Sequence, residues 1–219
     1  MDILKYIAPF ALFALLTYLP EVTEVSQAIA YPVKTVAVGL LLILLWKTFK
    51  PEIKPVLDWV AILAGIAVFI LWVGMDSWYP LLGTPTGFNP YELTASEAGL
   101  IALIFFRLAG AVLVVPVMEE IFWRSFAMRM LIDTNFRKVP LGSFSWFSFI
   151  AVAVAFGFVH HHWLPGILAG MIYALVLYRT RNLFSPILSH AVTNLLLGIY
   201  VLWSQEWLYW YGGIGGLEN

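Results

Sequence analysis

Seven apolar stretches follow one another along this chain, and each is about long enough to cross a bilayer as a helix, which takes about 20 mostly apolar residues. The stretches are residues 3–19, 33–49, 56–74, 98–131, 147–161, 164–179 and 185–203. Because a backbone in lipid must satisfy its own hydrogen bonds, we predict an all-α fold. The fold is a polytopic transmembrane helix bundle of about seven spans, or eight if the 76–97 segment or a helix is split.

The composition also excludes an ordinary water-soluble domain. Hydrophobic residues make up 62% of the 219 residues and charged residues 11%, whereas soluble domains are about half apolar and a quarter charged. We therefore expect a single membrane-embedded domain over residues 1–219, with membrane lipids as partners and no nucleic acid. The chain has no cysteine, which excludes disulfides and thiolate ligands.

Basic residues fall on alternate sides of successive spans, which predicts an orientation. They are Lys5, Lys47, Lys50, Lys54, Arg129, Arg137, Lys138, Arg179 and Arg181. Because positively charged loops stay in the cytoplasm, we predict an integral membrane protein with the amino end cytoplasmic and the carboxyl end outside. Lys34 is a positive charge on the otherwise acidic opposite side.

Aromatic residues gather near the predicted outer ends of the spans. They are Trp72, Trp78, Tyr79, Trp203, Trp207, Tyr209, Trp210 and Tyr211. Tryptophan and tyrosine are enriched at membrane interfaces because one part of each ring system is apolar and another can bind water. We expect these residues to be membrane anchors rather than a cage for a ligand.

Several charged residues lie within the apolar stretches, where each costs about 2.5 to 3.5 kcal/mol even on the gentler insertion scales. Glu119, Glu120 and Arg124 lie on the fourth stretch. Glu120 and Arg124 are four residues apart, which predicts an intrahelical ion pair. Glu119 is turned from Glu120 by about 100° and can face another helix.

The four histidines of the chain belong to the same polar set. His190 and Asn194 are four residues apart, and Phe156 and His160 repeat this spacing. With about 1.5 Å of rise per residue, Glu119, His190 and His160 lie roughly 15, 14 and 21 Å from the inner ends of their helices. We therefore predict that they converge on a polar cavity reached from the cytoplasmic side.

Other polar residues have simpler interpretations. We expect His161 and His162 to lie in the short turn before Trp163. Arg107 lies about 18 Å from Glu119 along the helix, at the outer boundary, where we expect it to snorkel toward water.

This set of residues can support peptide hydrolysis without serine, cysteine or metal, which requires a base for water and donors for the oxyanion. Glu119 would be the general base, and His160 would orient the water and help to move its proton. His190 and Asn194 would donate to the oxyanion. Glu120 with Arg124 would support the site, and no cofactor is expected.

Three motifs on separate stretches carry a resemblance to a known family. Residues 119–124 are similar to the Glu-Glu-x-x-x-Arg motif of the CAAX prenyl protease and bacteriocin-processing family, also called the Abi or type II CAAX endopeptidases. Residues 156–160 resemble its Phe-x-x-x-His motif, and residues 190–194 resemble its His-x-x-x-Asn motif. The resemblance covers about residues 100–200, and we take 98–203 as the catalytic core.

The resemblance implies a glutamate-type intramembrane protease. In this family the first Glu and first His of the motifs, here Glu119 and His160, activate water, and the last His and Asn, here His190 and Asn194, form the oxyanion site. We expect a hydrophobic or prenylated protein substrate, cleaved near the cytoplasmic side of a prokaryotic inner membrane.

Two rival functions stay open at this stage. Two His and one Glu could form a zinc site in a zinc-dependent membrane protease, although the chain has no His-Glu-x-x-His motif. A non-catalytic membrane transporter or immunity protein could also hold polar residues at mid-membrane. Transporters often show matched halves, and none is visible here.

Overall fold

The computed structural model describes residues 2–84 and 86–210. Within these residues all regular structure is helical, and the chain forms nine helices. They are α1 (Asp2–Val22), α2 (Gln27–Leu44), α3 (Trp46–Phe49), α4 (Trp59–Gly74), α5 (Pro90–Leu93), α6 (Glu97–Met130), α7 (Trp146–Phe158), α8 (Trp163–Thr180) and α9 (Phe184–Ser204). The all-α prediction is confirmed. Tyr211, predicted as an anchor, lies outside the described residues.

Five of the described helices, α1, α2, α6, α8 and α9, are long and apolar enough to cross a membrane. Helices α4 and α7 have 16 and 13 residues, fewer than the ~20 that a full crossing needs. Each predicted stretch is thus largely helical, while the number of seven spans stays a prediction. The 76–97 segment forms the 3₁₀ turn Asp76–Trp78 and the short α5 rather than another long helix.

Helix α6 carries Glu119 and Glu120 and has two irregular turns. The segments Gly110–Val114 and Ile121–Ala127 are π-helical, with α-helical Val115–Glu120 between them. Pro116 has no backbone N–H to donate, so a regular α-helical ladder cannot pass through it. π turns inside α-helices are frequent at functional sites because they re-aim the side chains around them.

Close helix packing brings the other polar residues toward α6. A Cβ at Gly65 of α4 would overlap the carbonyl oxygen of Ser189 on α9, and a Cβ at Gly157 of α7 would lie 2.6 Å from the carbonyl oxygen of Trp163 on α8. Small residues let helix backbones approach in lipid, where van der Waals packing drives association. Helices α4, α7, α8 and α9 therefore form a tight group beside α6.

The bundle has two chemically different ends. At the end that we call the basic end, Glu52 binds Arg129 at 2.8 Å and Asp58 binds Arg179 at 2.5 Å. These ion pairs attach the connection between α3 and α4 to α6 and α8. At the opposite end, the aromatic end, Phe88 N donates to Trp210 O, so the loop before α5 packs against the residues that follow α9.

Candidate active site

One cavity of about 140 Å³ lies between the helices and contains all four predicted catalytic residues in its wall. Glu119 comes from α6, His160 from the turn after α7, and His190 and Asn194 from α9. A cavity of this size with polar walls can hold water. The prediction that three separate stretches converge on one cavity is therefore met by the geometry.

Glu119 is the carboxylate of this cavity. Glu119 is 6% exposed, and its Oε2 atom is buried without a hydrogen-bond partner among the described residues. Buried polar atoms are almost always hydrogen-bonded in folded proteins, so an exception calls for an explanation. Because the residue lines the cavity, its carboxylate is the acidic group closest to a molecule that enters there.

Glu120 faces away from Glu119 and joins two helices. Arg124 Nε lies 3.0 Å from one oxygen of Glu120, which confirms the predicted ion pair, and His190 Nδ1 lies 3.0 Å from the other. The Arg124 guanidinium also lies over the ring of Phe156, 4.4 Å from its centroid. Glu120 therefore fixes the ring of His190, a contact across 70 residues that the sequence did not predict.

His160 lies beyond the end of its helix. The sequence predicted that it lies on a helix at 147–161, but α7 ends at Phe158 and His160 follows in a turn. The backbone N–H of His160 donates to the carbonyl oxygen of Gly157. Its Nδ1 is 2.7 Å from the carbonyl oxygen of Phe156. The first and last residues of the Phe-x-x-x-His motif are therefore in contact, although His160 is not part of the helix. A carbonyl only accepts hydrogen bonds, which puts the ring proton on Nδ1 and leaves Nε2 as an acceptor.

Asn194 and His190 are held by contacts that leave donors for a ligand. Asn194 Nδ2 donates to the carbonyl oxygen of Ala111 at 2.8 Å, which uses one of its two N–H groups. The ring of His190 stacks on Tyr173, with 5.0 Å between centroids, and Tyr173 in turn donates to Thr193 Oγ1 at 2.8 Å. No motif or spacing in the sequence pointed to Tyr173.

His161 and His162 lie in the turn between α7 and α8, as expected. His161 Nδ1 contacts the carbonyl oxygen of Leu82. His162 Nδ1 lies 3.0 Å from the hydroxyl of Tyr79, and its ring stacks on Tyr209 with 5.0 Å between centroids. Both residues attach the loop after α4 to the aromatic end.

The cavity runs from Glu119 toward the aromatic end. Arg107, Ala111, Val115 and Glu119 are each four residues apart on α6, and all four line it. From the sequence we predicted that the basic end lies in the cytoplasm and that the cavity is reached from the cytoplasmic side. The lining residues extend from Glu119 to the aromatic end, and the side from which the cavity is reached stays a prediction.

Three aromatic residues that we predicted to be membrane anchors line the cavity instead. Trp72, Tyr209 and Trp210 are 8%, 7% and 3% exposed and line the cavity. Trp78 and Trp203 are 73% and 80% exposed, as an anchor would be. An aromatic residue at the end of a span has the same sequence signature in both roles.

Two basic residues also differ from their predicted positions. Lys34, expected as a charge near the surface, is 3% exposed and lines the cavity. Arg107 is partly exposed, and its guanidinium also lies over the rings of Tyr31, Phe88 and Trp210, contacts that the sequence did not predict.

The donor set does not match a zinc site. Among the residues that the structure describes, no three His, Asp or Glu side chains are close enough together to hold a metal ion. A structural zinc usually has four protein ligands and a catalytic zinc three.

Comparisons with known proteins agree with the motifs. The family model described as "Type II CAAX prenyl endopeptidase Rce1-like" matches residues 100–196, which include all three motifs. Neither the curated proteins nor the solved structures gave a match to this chain. Residues 100–196 are thus similar to the Rce1-like type II CAAX prenyl endopeptidase family, as the motifs on α6, α7 and α9 predict.

Proposed function

We propose that this integral membrane protein is a cofactor-independent intramembrane endopeptidase that hydrolyses a peptide bond with a water molecule activated by Glu119 and His160. The observation that carries the proposal is the position of Glu119 in the wall of a cavity that it shares with His160, His190 and Asn194. Its buried Oε2 also has no hydrogen-bond partner among the described residues. The match of residues 100–196 to an endopeptidase family supports the same reaction.

In the first step, Glu119 takes a proton from water while the water oxygen attacks the carbonyl carbon of the scissile bond. Nε2 of His160, the acceptor nitrogen of its ring, holds the second hydrogen of that water and orients it. When the tetrahedral intermediate collapses, the carbon–nitrogen bond breaks and Glu119 returns its proton to the amine. The products are a carboxylic acid and an amine, so atoms and charges balance.

The oxyanion of the intermediate is stabilised by His190 and Asn194. Asn194 offers the N–H that does not bind Ala111. His190 donates its Nδ1 hydrogen to Glu120, so its Nε2 can donate only when the ring carries a second proton. The Glu120 carboxylate, at 3.0 Å, is the counter-ion for that protonated ring. Preorganised donors of this kind are worth about 10²- to 10³-fold in rate each.

The substrate is a membrane-embedded protein, and we propose that it is hydrophobic or lipidated. Phe10, Phe13 and Trp72 in the cavity wall favour an apolar chain. We further propose a prokaryotic inner membrane with the amino end in the cytoplasm, on the basis of the lysines and arginines at the basic end. Cleavage near the cytoplasmic side belongs to the same proposal.

Purified wild type and Glu119→Gln should be compared on a hydrophobic peptide with a fluorophore and a quencher on either side of the cleaved bond. Removing the base should lower kcat by about 10²- to 10⁴-fold. Glu24→Gln, which removes an exposed carboxylate from the loop after α1, is the matched control and should cleave like wild type. Cleavage by Glu119→Gln at the wild-type rate would refute the base, and loss of activity on chelation that zinc restores would favour the metalloprotease.

A further inference from the structure

Tyr173 is a buried aromatic residue on α8 that the proposed reaction does not use. It lies between the Phe-x-x-x-His and His-x-x-x-Asn motifs and belongs to neither of them. Tyr173 is 1% exposed and lines the cavity together with His190. The rings of the two residues are stacked, with 5.0 Å between their centroids and 19° between their planes. Tyr173 therefore presents the face of its ring to one of the proposed oxyanion donors.

A single hydrogen bond does not fix the plane of a histidine ring. The contact of His190 Nδ1 with Glu120, at 3.0 Å, holds one atom of the ring. The ring can still turn about that contact, and such a turn moves Nε2, the nitrogen that donates to the oxyanion. A stacked aromatic neighbour restricts the turn, because aromatic pairs prefer a few mutual orientations. Phe156 lies farther from this ring, at 6.0 Å, and nearly perpendicular to it.

Tyr173 is in turn anchored by hydrogen bonds that connect three helices. Its hydroxyl donates to Thr193 Oγ1 at 2.8 Å. The Thr193 hydroxyl lies 2.9 Å from the carbonyl oxygen of Gly65 on α4 and 3.1 Å from that of Ser189 on α9. Because carbonyl oxygens only accept, Thr193 shares its one proton between them and accepts from the tyrosine. The tyrosine ring of α8 is thus held against α9, and through Thr193 against α4.

We propose that Tyr173 is a positioning residue that holds the His190 ring in the plane from which Nε2 donates to the oxyanion. This inference rests on the proposed protease function. In this role Tyr173 touches neither the water nor the scissile bond and acts only through His190. Its ring supplies the contact, and its hydroxyl keeps the ring in place through Thr193. A misplacement of about 1 Å can cost about 100-fold in rate, so such a residue controls activity without taking part in the chemistry.

Cleavage of the quenched hydrophobic peptide should be measured for Tyr173→Leu and Tyr173→Phe, each alone and combined with His190→Ala. Tyr173→Leu removes the flat face and should lower kcat by about 10- to 100-fold. The loss should be smaller than the roughly 10²- to 10³-fold expected for His190→Ala, since a misplaced donor can lose no more than an absent one. Tyr173→Phe keeps the face and loses one hydrogen bond, so kcat should fall only about two- to fivefold.

The combined variants separate positioning from a purely structural role. With His190→Ala, the ring that Tyr173 positions is absent, so adding Tyr173→Leu should lower the remaining kcat by less than about threefold. A loss of folded protein would instead lower the rate by the same factor in both backgrounds. Tyr91→Leu, which removes a tyrosine of α5 that is 53% exposed, is the matched control and should leave kcat unchanged in both.

Thr193→Val keeps the inference testable if Tyr173→Leu does not fold. This variant removes the anchor of the Tyr173 hydroxyl and should lower kcat about as much as Tyr173→Phe, by about two- to fivefold. The two substitutions act on the same hydrogen bond, so together they should cost no more than either alone. In the His190→Ala background neither should lower kcat further.

The outcomes distinguish this inference from the protease proposal. Wild-type kcat in Tyr173→Leu, or in both Tyr173→Phe and Thr193→Val, would overturn the positioning role. An equal loss with and without His190→Ala, or wild-type kcat in His190→Ala itself, would do the same. All of these results leave the protease intact. Failure of wild type to cleave any hydrophobic peptide, or equal cleavage by Glu119→Gln, would overturn the protease itself.

Discussion

The basic end and the cavity both contain buried charged residues, but these residues differ in the partners that surround them. At the basic end Arg129 binds Glu52 at 2.8 Å and also contacts Ser125, while the Tyr6 hydroxyl donates to Glu52 at 3.3 Å. In the cavity, Oε2 of Glu119 is without a hydrogen-bond partner among the described residues.

The difference separates structural charges from functional ones. At the basic end, each ion pair joins elements distant in sequence, so its energy holds the bundle together. In the cavity, neither Glu119 nor Lys34 forms an ion pair with another described residue, and a buried charge without an ion pair costs stability. Sites that do chemistry are often the places where a fold is less stable than it could be. Substitutions at the basic end should therefore lower stability more than activity, and substitutions in the cavity should lower activity more than stability.

The largest effect on stability is expected at Glu120, which lies on the border between the two regions. Glu120→Gln would leave the fully buried Arg124 without its counter-charge and His190 with a neutral amide in place of a carboxylate. Breaking a buried ion pair from one side costs about 3 to 5 kcal/mol of unfolding free energy. Thermal unfolding in detergent should show this loss, together with loss of cleavage.

The double variant Glu120→Gln with Arg124→Met tests whether the cost comes from the unpaired charge. Its stability should exceed that of Glu120→Gln, because a buried pair can be replaced by apolar groups at little cost. If the double variant is less stable than the single one, Arg124 is held mainly by Gly170 and Phe156 and not by Glu120.

The next effect is expected at Asn194, and mainly on activity. Asn194→Ala removes an oxyanion donor and should lower kcat about 10²-fold. The lost hydrogen bond to Ala111 should cost only about 1 kcal/mol of stability. Asn135→Ala, at an exposed loop position, is the control. A loss of less than about threefold in kcat would mean that Asn194 only positions α6.

The smallest effect is expected at Glu52, and mainly on stability. Glu52→Gln should lower the unfolding free energy by about 1 to 3 kcal/mol, because Arg129 would lose its counter-charge and keep its neutral contacts to Ser125, Val139 and Phe136. The folded protein should still cleave at nearly the wild-type rate. A fall in activity much larger than the fall in folded protein would connect the basic end to the reaction and remove the contrast.

Local features of the site could be predicted from the sequence because short-range geometry determines them. The Glu120–Arg124 pair follows from a spacing of four residues on one helix. The convergence of Glu119, His160 and His190 follows from the cost of polar groups in lipid and from the helical rise. Both features depend only on the geometry of a helix and on the cost of polar groups in a membrane.

Features that depend on tertiary packing could not be predicted in the same way. Hydropathy shows that Lys34 lies near an apolar stretch, but not which neighbour its helix face meets. Contact between Glu120 and His190 joins residues 70 apart. The end of α7 at Phe158, two residues before His160, depends on the turn that begins α8. The direction of the cavity depends on all of these contacts together.

The most direct test of the account measures activity and unfolding free energy on the same preparations of Glu119→Gln and Glu52→Gln. We predict that Glu119→Gln unfolds at or above the wild-type temperature and has lost cleavage. Glu52→Gln should unfold at a lower temperature and still cleave. Cleavage that survives in Glu119→Gln, or a destabilisation of that variant as large as that of Glu52→Gln, would contradict the claim that Glu119 is held in the cavity for catalysis.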